Sequence, residues 1–178
     1  MSAKQHFELL AQYNQWMNAS LYRAAATLSP EERNQSRGAF FGSILGTLNH
    51  ILVADITWLT RIRAQYGSVG ALHALATFPV PSALNQILFE NFDDLARVRA
   101  ALDQVIVQFI ADVTDDMLDG ALQYRNMKGD RMSKKLSSIL LHYFNHQTHH
   151  RGQVTALLSQ AGVDYGVTDL VVLVPDLE

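Results

Sequence analysis

Residues 133–161 read SKKLSSILLHYFNHQTHHRGQVTALLSQA, and Gly162 follows. Stepped round a helix at about 100° per residue, Leu136, Ile139, Leu140, Tyr143, Val154, Leu157, Leu158 and Ala161 fall on one stripe. The spacing predicts a helix over 133–161, stopped by Gly162. A long helix with a single apolar stripe buries it against other elements. Four histidines interrupt the pattern. His146 and His150 lie at the edge of the stripe, about 40° apart. His142 and His149 lie further round, toward solvent.

The rest of the chain supplies partners for that stripe. Phe7, Leu10, Ala11, Met17, Leu21, Ala25 and Leu28 share one face of a helix predicted over Lys4–Leu28. Ser29, Pro30 and Glu32 then carry the cap, first-position and third-position signals of a new turn. After the break at Gly38–Gly42, a second long helix is expected from Ser43 to about Tyr66. It is apolar round much of its circumference and so should be the most buried. Gly67–Pro81 reads as a connector. Ser82 caps an expected third helix to Val113, with a stripe running from Leu84, Ile87 and Leu88 through Leu95, Leu102 and Ile106 to Phe109. Thr114 starts a short turn. Lys128-Gly129-Asp130 is a turn signal within 121–132, which reads as a small hairpin. Val163–Glu178 reads as an extended arm. The expected architecture is an all-α four-helix bundle in a single domain over residues 1–178, with short extra helical turns, the hairpin and the arm.

Composition removes several function classes. The chain has 178 residues, 48% of them hydrophobic and 17% charged, with a net charge of -3. That apolar share excludes disorder, and the negative charge with no basic stripe excludes a nucleic-acid partner. The charged share is below the usual level of about 25%, which suggests a face covered by a second copy. There are no cysteines. Disulfides, thiolate metal sites and cysteine nucleophiles are therefore excluded. Any metal must be held by His, Asp or Glu, and any thiol must come from outside. No apolar run approaches the roughly 20 residues of a membrane span, since Asn49, His50 and Asp55 interrupt the richest one. Met1–His6 lacks a signal-peptide pattern, so a cytoplasmic protein is expected. Phosphate-binding and nucleophile-elbow motifs are absent.

Two imidazoles four residues apart on a helix can share one metal ion. Gln147 stands where the metalloprotease motif has its Glu, so that reading fails. The pair needs a further ligand from elsewhere. A solvated His-rich turn has the same spacing, and spacing alone leaves both readings open. His50 lies on the polar shoulder of its helix, where periodicity marks an ordinary interhelical histidine. Asn14 and Asn18 fall on a buried face, either lining a polar pocket or bonding to a neighbouring helix. Asp55 sits amid apolar residues and requires a partner, an Arg or a backbone donor. Trp16 faces outward with Leu9 and Tyr13, a candidate subunit contact. Gly152 reads as a site of close helix packing.

The run Asn145-His146-Gln147-Thr148-His149-His150-Arg151-Gly152-Gln153 resembles the fourth-helix motif of the DinB family of bacterial damage-inducible proteins. Tyr13-Asn14-x-Trp16-x-Asn18-x-x-Leu21 resembles its first-helix motif. Leu48-Asn49-His50-Ile51, with Trp58-Leu59, resembles the second. Gly162-Val163-Asp164 and Asp169-Leu170 are similar to the family's tail. The resemblance spans essentially the whole chain. It implies a four-helix bundle holding a divalent metal, zinc or nickel, on three histidines: His50, His146 and His150. It also implies a homodimer. Some members resemble transferases or isomerases that use a low-molecular-weight thiol as co-substrate. The function so implied is metal-dependent thiol transfer to a small-molecule substrate. Asn14 and Asn18 would orient the substrate, and Arg151 would meet an anionic group. Two alternatives accompany it: a metal-dependent hydrolase with His149 or His142 as base, and a metal-binding stress protein without turnover.

Overall fold

A computed structural model describes residues 2–176; Met1 and the last two residues of the arm, Leu177 and Glu178, lie outside the described residues. Helix α1 (Ala3–Ala26) opens on a reciprocal cap between Ser2 and Gln5. Helix α2 (Pro30–Asn34) opens on the expected Ser29–Glu32 box. Ser43 caps α3 (Ile44–Gln65), and Asn91 caps α4 (Phe92–Asp112). Thr114 caps the short α5 (Asp115–Asp119). Strands β1 (Ala121–Arg125) and β2 (Arg131–Lys135) pair antiparallel, with Ala121 opposite Lys135. Helix α6 (Leu136–Gln160) ends just before Gly162, whose φ of 73° carries the chain out of the helix.

The long helices α1, α3, α4 and α6 surround one apolar core. Helix α1 packs on α4 and α6, while α3 packs on α6. Helix α3 meets α4 more lightly, and a 3-10 segment (Gly70–Thr77) fills that side with buried Leu72 and Leu75. As expected, α3 is buried round most of its first three turns. Among the described residues, no helix is long and apolar enough to cross a membrane.

Four expectations are corrected. The third long helix starts at Phe92, not Ser82. Buried Asn49 explains the difference: its Oδ1 accepts from the Leu88 and Phe89 amides at 2.9 and 3.0 Å, and its Nδ2 donates to the Phe89 carbonyl at 3.0 Å. That grip holds 84–89 against α3 as an irregular segment and leaves Leu84 and Ile87 exposed. The hairpin extends to Lys135, so α6 starts at Leu136 rather than Ser133. The Leu136 amide donates to the Gly120 carbonyl at 2.9 Å, and this contact stands in for a side-chain cap. The face around Trp16 is not free. The chain's own arm crosses it: Tyr13 Oη donates to the Thr168 carbonyl at 2.6 Å, and Asp164–Val167 share a groove with Trp16. Finally, a Cβ on Gly152 would meet nothing within 4 Å. The close approach is instead at Gly46, where a side chain would strike the Phe41 carbonyl.

Candidate metal centre

Helix α3 carries His50 into its contact with α6, which presents His146 and His150 one turn apart. The three Nε2 atoms form a triangle: 3.4 Å from His50 to His146, 3.2 Å from His50 to His150, and 3.1 Å from His146 to His150. His50 is 5% exposed and His150 8%, with His146 half-buried.

The outer nitrogens decide what this triangle is. His50 Nδ1 lies 2.8 Å from the Leu84 carbonyl, which only accepts, so Nδ1 carries the proton. His150 Nδ1 lies 2.9 Å from Gln153 Oε1, and the same Gln153 turns its Nε2 toward His149. His150 Nδ1 therefore also carries the proton. In the neutral rings both inner Nε2 atoms are bare lone pairs, 3.2 Å apart. No hydrogen bond can join two bare acceptors, and their facing lone pairs repel. A cation among them reverses the sign. Metal–nitrogen bonds of about 2.0–2.1 Å set ligand nitrogens about 3.3–3.4 Å apart at tetrahedral angles and about 2.9 Å apart at right angles. The observed triangle lies between these limits, so the donor set fits a divalent ion in size and in chemistry. The fixed Nδ1 protons are the outer-sphere contacts that usually orient metal-binding imidazoles.

The electrostatics keep the rings neutral. Burial, with smaller contributions from the neighbouring His150 and His50, lowers the pKa of His146 to about 3. Burial also lowers His50 and His150, against the opposing pull of the Leu84 carbonyl and of Gln153. A histidine in the unfolded chain titrates near 6.5. Between the folded and unfolded values the unfolded chain binds more protons, so stability is full above the unfolded pKa and falls as pH drops below it. Metal-free protein is expected to lose stability steadily from pH 7 to pH 5 in urea titrations. His146→Ala should flatten that slope; an unchanged slope would contradict the assignment.

One side of the triangle opens on a cleft of about 630 Å³ walled by Phe40, Phe41, Leu84, Asn85, His149 and Gln153. The Phe41 ring stacks on His50, with centroids 3.7 Å apart. Asn49 supports this wall, because the segment it grips carries the Leu84 carbonyl that orients His50. Asn49→Ala strips partners from two partly buried amides and is expected to cost about 1–3 kcal/mol of stability. It should also weaken metal binding about 10–100-fold, measured by competition with a chelator. A stability loss with metal affinity unchanged would break that link.

Asn14 and Asn18 follow the second of the two readings left open for them, bonding to a neighbouring helix, and neither they nor Arg151 line the histidine cleft. On α6, His150 lines the cleft and His146 completes the triangle beside it, while Gln147 and Arg151, one residue on from each, are buried in the core. Arg151 donates to Asn14 Oδ1 and to Gln147 Oε1. Asn14 and Asn18 donate to Asp103 Oδ1 at 3.2 and 2.9 Å. Arg99 joins Asp103 at 2.8 Å and Asp55 at 2.5 Å, and Gln147 donates to Asp55 at 2.9 Å. The three predicted substrate contacts thus belong to a buried network tying α1, α3, α4 and α6 together. Asp55 has the arginine partner that its position demanded. Arg99 and Asp103 were missed, although Arg99 follows Leu95 by four residues on the α4 stripe and a charge there was a visible signal. Phe41 and Leu84 carried no such signal.

Four long helices with three imidazoles converging between the second and the last define a helical protein whose histidines could hold a divalent ion. The chain belongs to the DinB family, whose profile matches residues 1–174. It is similar to Protein DinB of Bacillus subtilis (strain 168), with 27% identity over 160 residues, 90% of this chain and 88% of that one. No solved structure matches the chain at a comparable level.

Proposed function

We propose that the protein is a metal-dependent enzyme that transfers a low-molecular-weight thiol to a small electrophilic substrate. The observation that carries this reading is the convergence of bare imidazole nitrogens beside an open cleft. A closed structural site would leave no room for a reactant. Zinc and nickel both suit imidazole ligands. A divalent ion on His50, His146 and His150 would supply Lewis acidity, drawing a thiol toward its nucleophilic anion. The chain has no cysteine of its own, so that thiol enters as co-substrate. The Leu84 carbonyl and Gln153 hold the His50 and His150 rings in the ligating tautomer. Phe41 covers one face of His50 and keeps water from it.

Hydrolysis with water as nucleophile is the second reading, supported by His149 on the same cleft. His149 Nε2 already accepts from Gln153 Nε2 at 3.2 Å, so it would serve as base only after turning away. The test is S-arylation of 2-mercaptoethanol by 1-chloro-2,4-dinitrobenzene, in which the thiolate sulfur displaces chloride from the ring, with zinc- or nickel-loaded protein. The expected result is acceleration that scales with bound metal and is absent in His146→Ala. Metal-dependent ester hydrolysis without thiol would favour the second reading. Metal binding with neither activity would reduce the protein to a metal-binding one.

A further inference from the structure

We infer that the cleft beside the histidines selects an uncharged, aromatic or apolar group, which lodges against Phe40 and Leu84. The inference rests on the proposed function for the place of the reacting atoms, and on the cleft's own chemistry for the rest. Phe40 is 87% exposed, the most exposed of the large apolar side chains among the described residues. Its position is built, not frayed. Gly38 and Gly42 both take φ of 76°, which suits glycine and folds 38–42 into a tight loop. The Arg37 amide donates to the Gly42 carbonyl at 3.0 Å, and the Gly42 amide to the Ala39 carbonyl at 2.8 Å. Phe41 braces Phe40 edge-on, with centroids 4.9 Å apart. A phenyl ring held in water by this much local structure leaves apolar area that a ligand can bury.

Leu84, on the same cleft, is 40% exposed. It is held there by the Asn49 grip on the residues that follow. Asn85, His149 and Gln153 add polar groups, and no Asp, Glu, Lys or Arg lines the cleft. Against Phe40 and Leu84 a charged group would shed its hydration with no charged side chain to meet it; the one opposite charge on offer to an anion is that of the proposed ion. An aromatic ring would gain the Phe40 face or edge. Both apolar walls also touch His50: Phe41 through stacking, and Leu84 through its carbonyl. The subsite is therefore continuous with the proposed reaction centre.

The experiment is an amide-resolved NMR titration of full-length protein, zinc-loaded and metal-free, with benzyl alcohol as probe. Benzoate and benzylammonium serve as charged comparisons in the metal-free form. The expected shifts centre on Phe40, Phe41, Leu84 and Asn85 in both forms. The charged probes should bind at least about tenfold more weakly, and Phe40→Ala should weaken benzyl alcohol about tenfold, a change of about 1.4 kcal/mol. Phe40 is exposed, so its removal is expected to leave the fold and the metal content unchanged. Scattered or absent shifts would overturn the inference, as would equal affinity for the charged probes. So would shifts that follow protein concentration without probe, which would assign the loop to a contact between copies. If zinc does not bind but benzyl alcohol still shifts these amides, the proposed function fails and the subsite stands.

Discussion

Arg99→Met is expected to lower the free energy of unfolding by about 3–5 kcal/mol, measured by urea denaturation at pH 7. Arg99 is 2% exposed and is the only cation in direct ionic contact with Asp55 and Asp103 among the described residues. Removing it strands two buried carboxylates, and the cost lies in their lost partner more than in any intrinsic value of the pair. Burial already raises the Asp55 pKa to about 6 against the opposing pull of Arg99. Without Arg99 both carboxyls should rise further and take up protons in weak acid. The deficit should therefore be smaller at pH 5 than at pH 8. Adding Asp55→Asn and Asp103→Asn should restore part of the loss. A variant within about 0.5 kcal/mol of wild type would show that the network is not what holds the four helices together.

The second large effect is that of the ion. Zinc at 1,000 times its dissociation constant is expected to stabilise the protein by about 4 kcal/mol. For a chain of this size that is a rise of about 8–16 °C in melting temperature. The gain should vanish with a chelator and in His150→Ala. In the metal-free protein two bare nitrogens face each other at 3.2 Å, and the ion replaces that repulsion with bonds. Equal stabilisation of His150→Ala would place the ion elsewhere.

What could be read from the sequence follows from what periodicity measures. It finds a stripe with one buried side, so α1 and α6 were legible, as was the inward placing of His146 and His150. Short caps were legible too, because Ser29 with Glu32 and Thr114 act within a few residues. His50 escaped periodicity because it fell on the polar shoulder of α3, where a histidine reads as an ordinary interhelical one, although it is buried in the fold; the family resemblance supplied that residue. The segment from Ser82 to Glu90 failed for the opposite reason. Its leucines fall at helical spacing, but a distant side chain, Asn49, takes its backbone hydrogen bonds. Asn14 and Asn18 were recognised as buried and polar, while Arg151 was read only as a contact for an anionic group. Their partners lie 85 to 137 residues away in the chain, so wheel geometry could not say whether they served the core or the cleft.

The most direct test of the account is metal content per chain by inductively coupled plasma mass spectrometry. Untagged wild type is compared with His50→Ala, His146→Ala and His150→Ala, each dialysed against zinc and then against nickel. The account predicts about one ion per wild-type chain, with marked loss in all three variants, including the one on α3. Wild type without bound metal, or variants that keep their full complement, would contradict it.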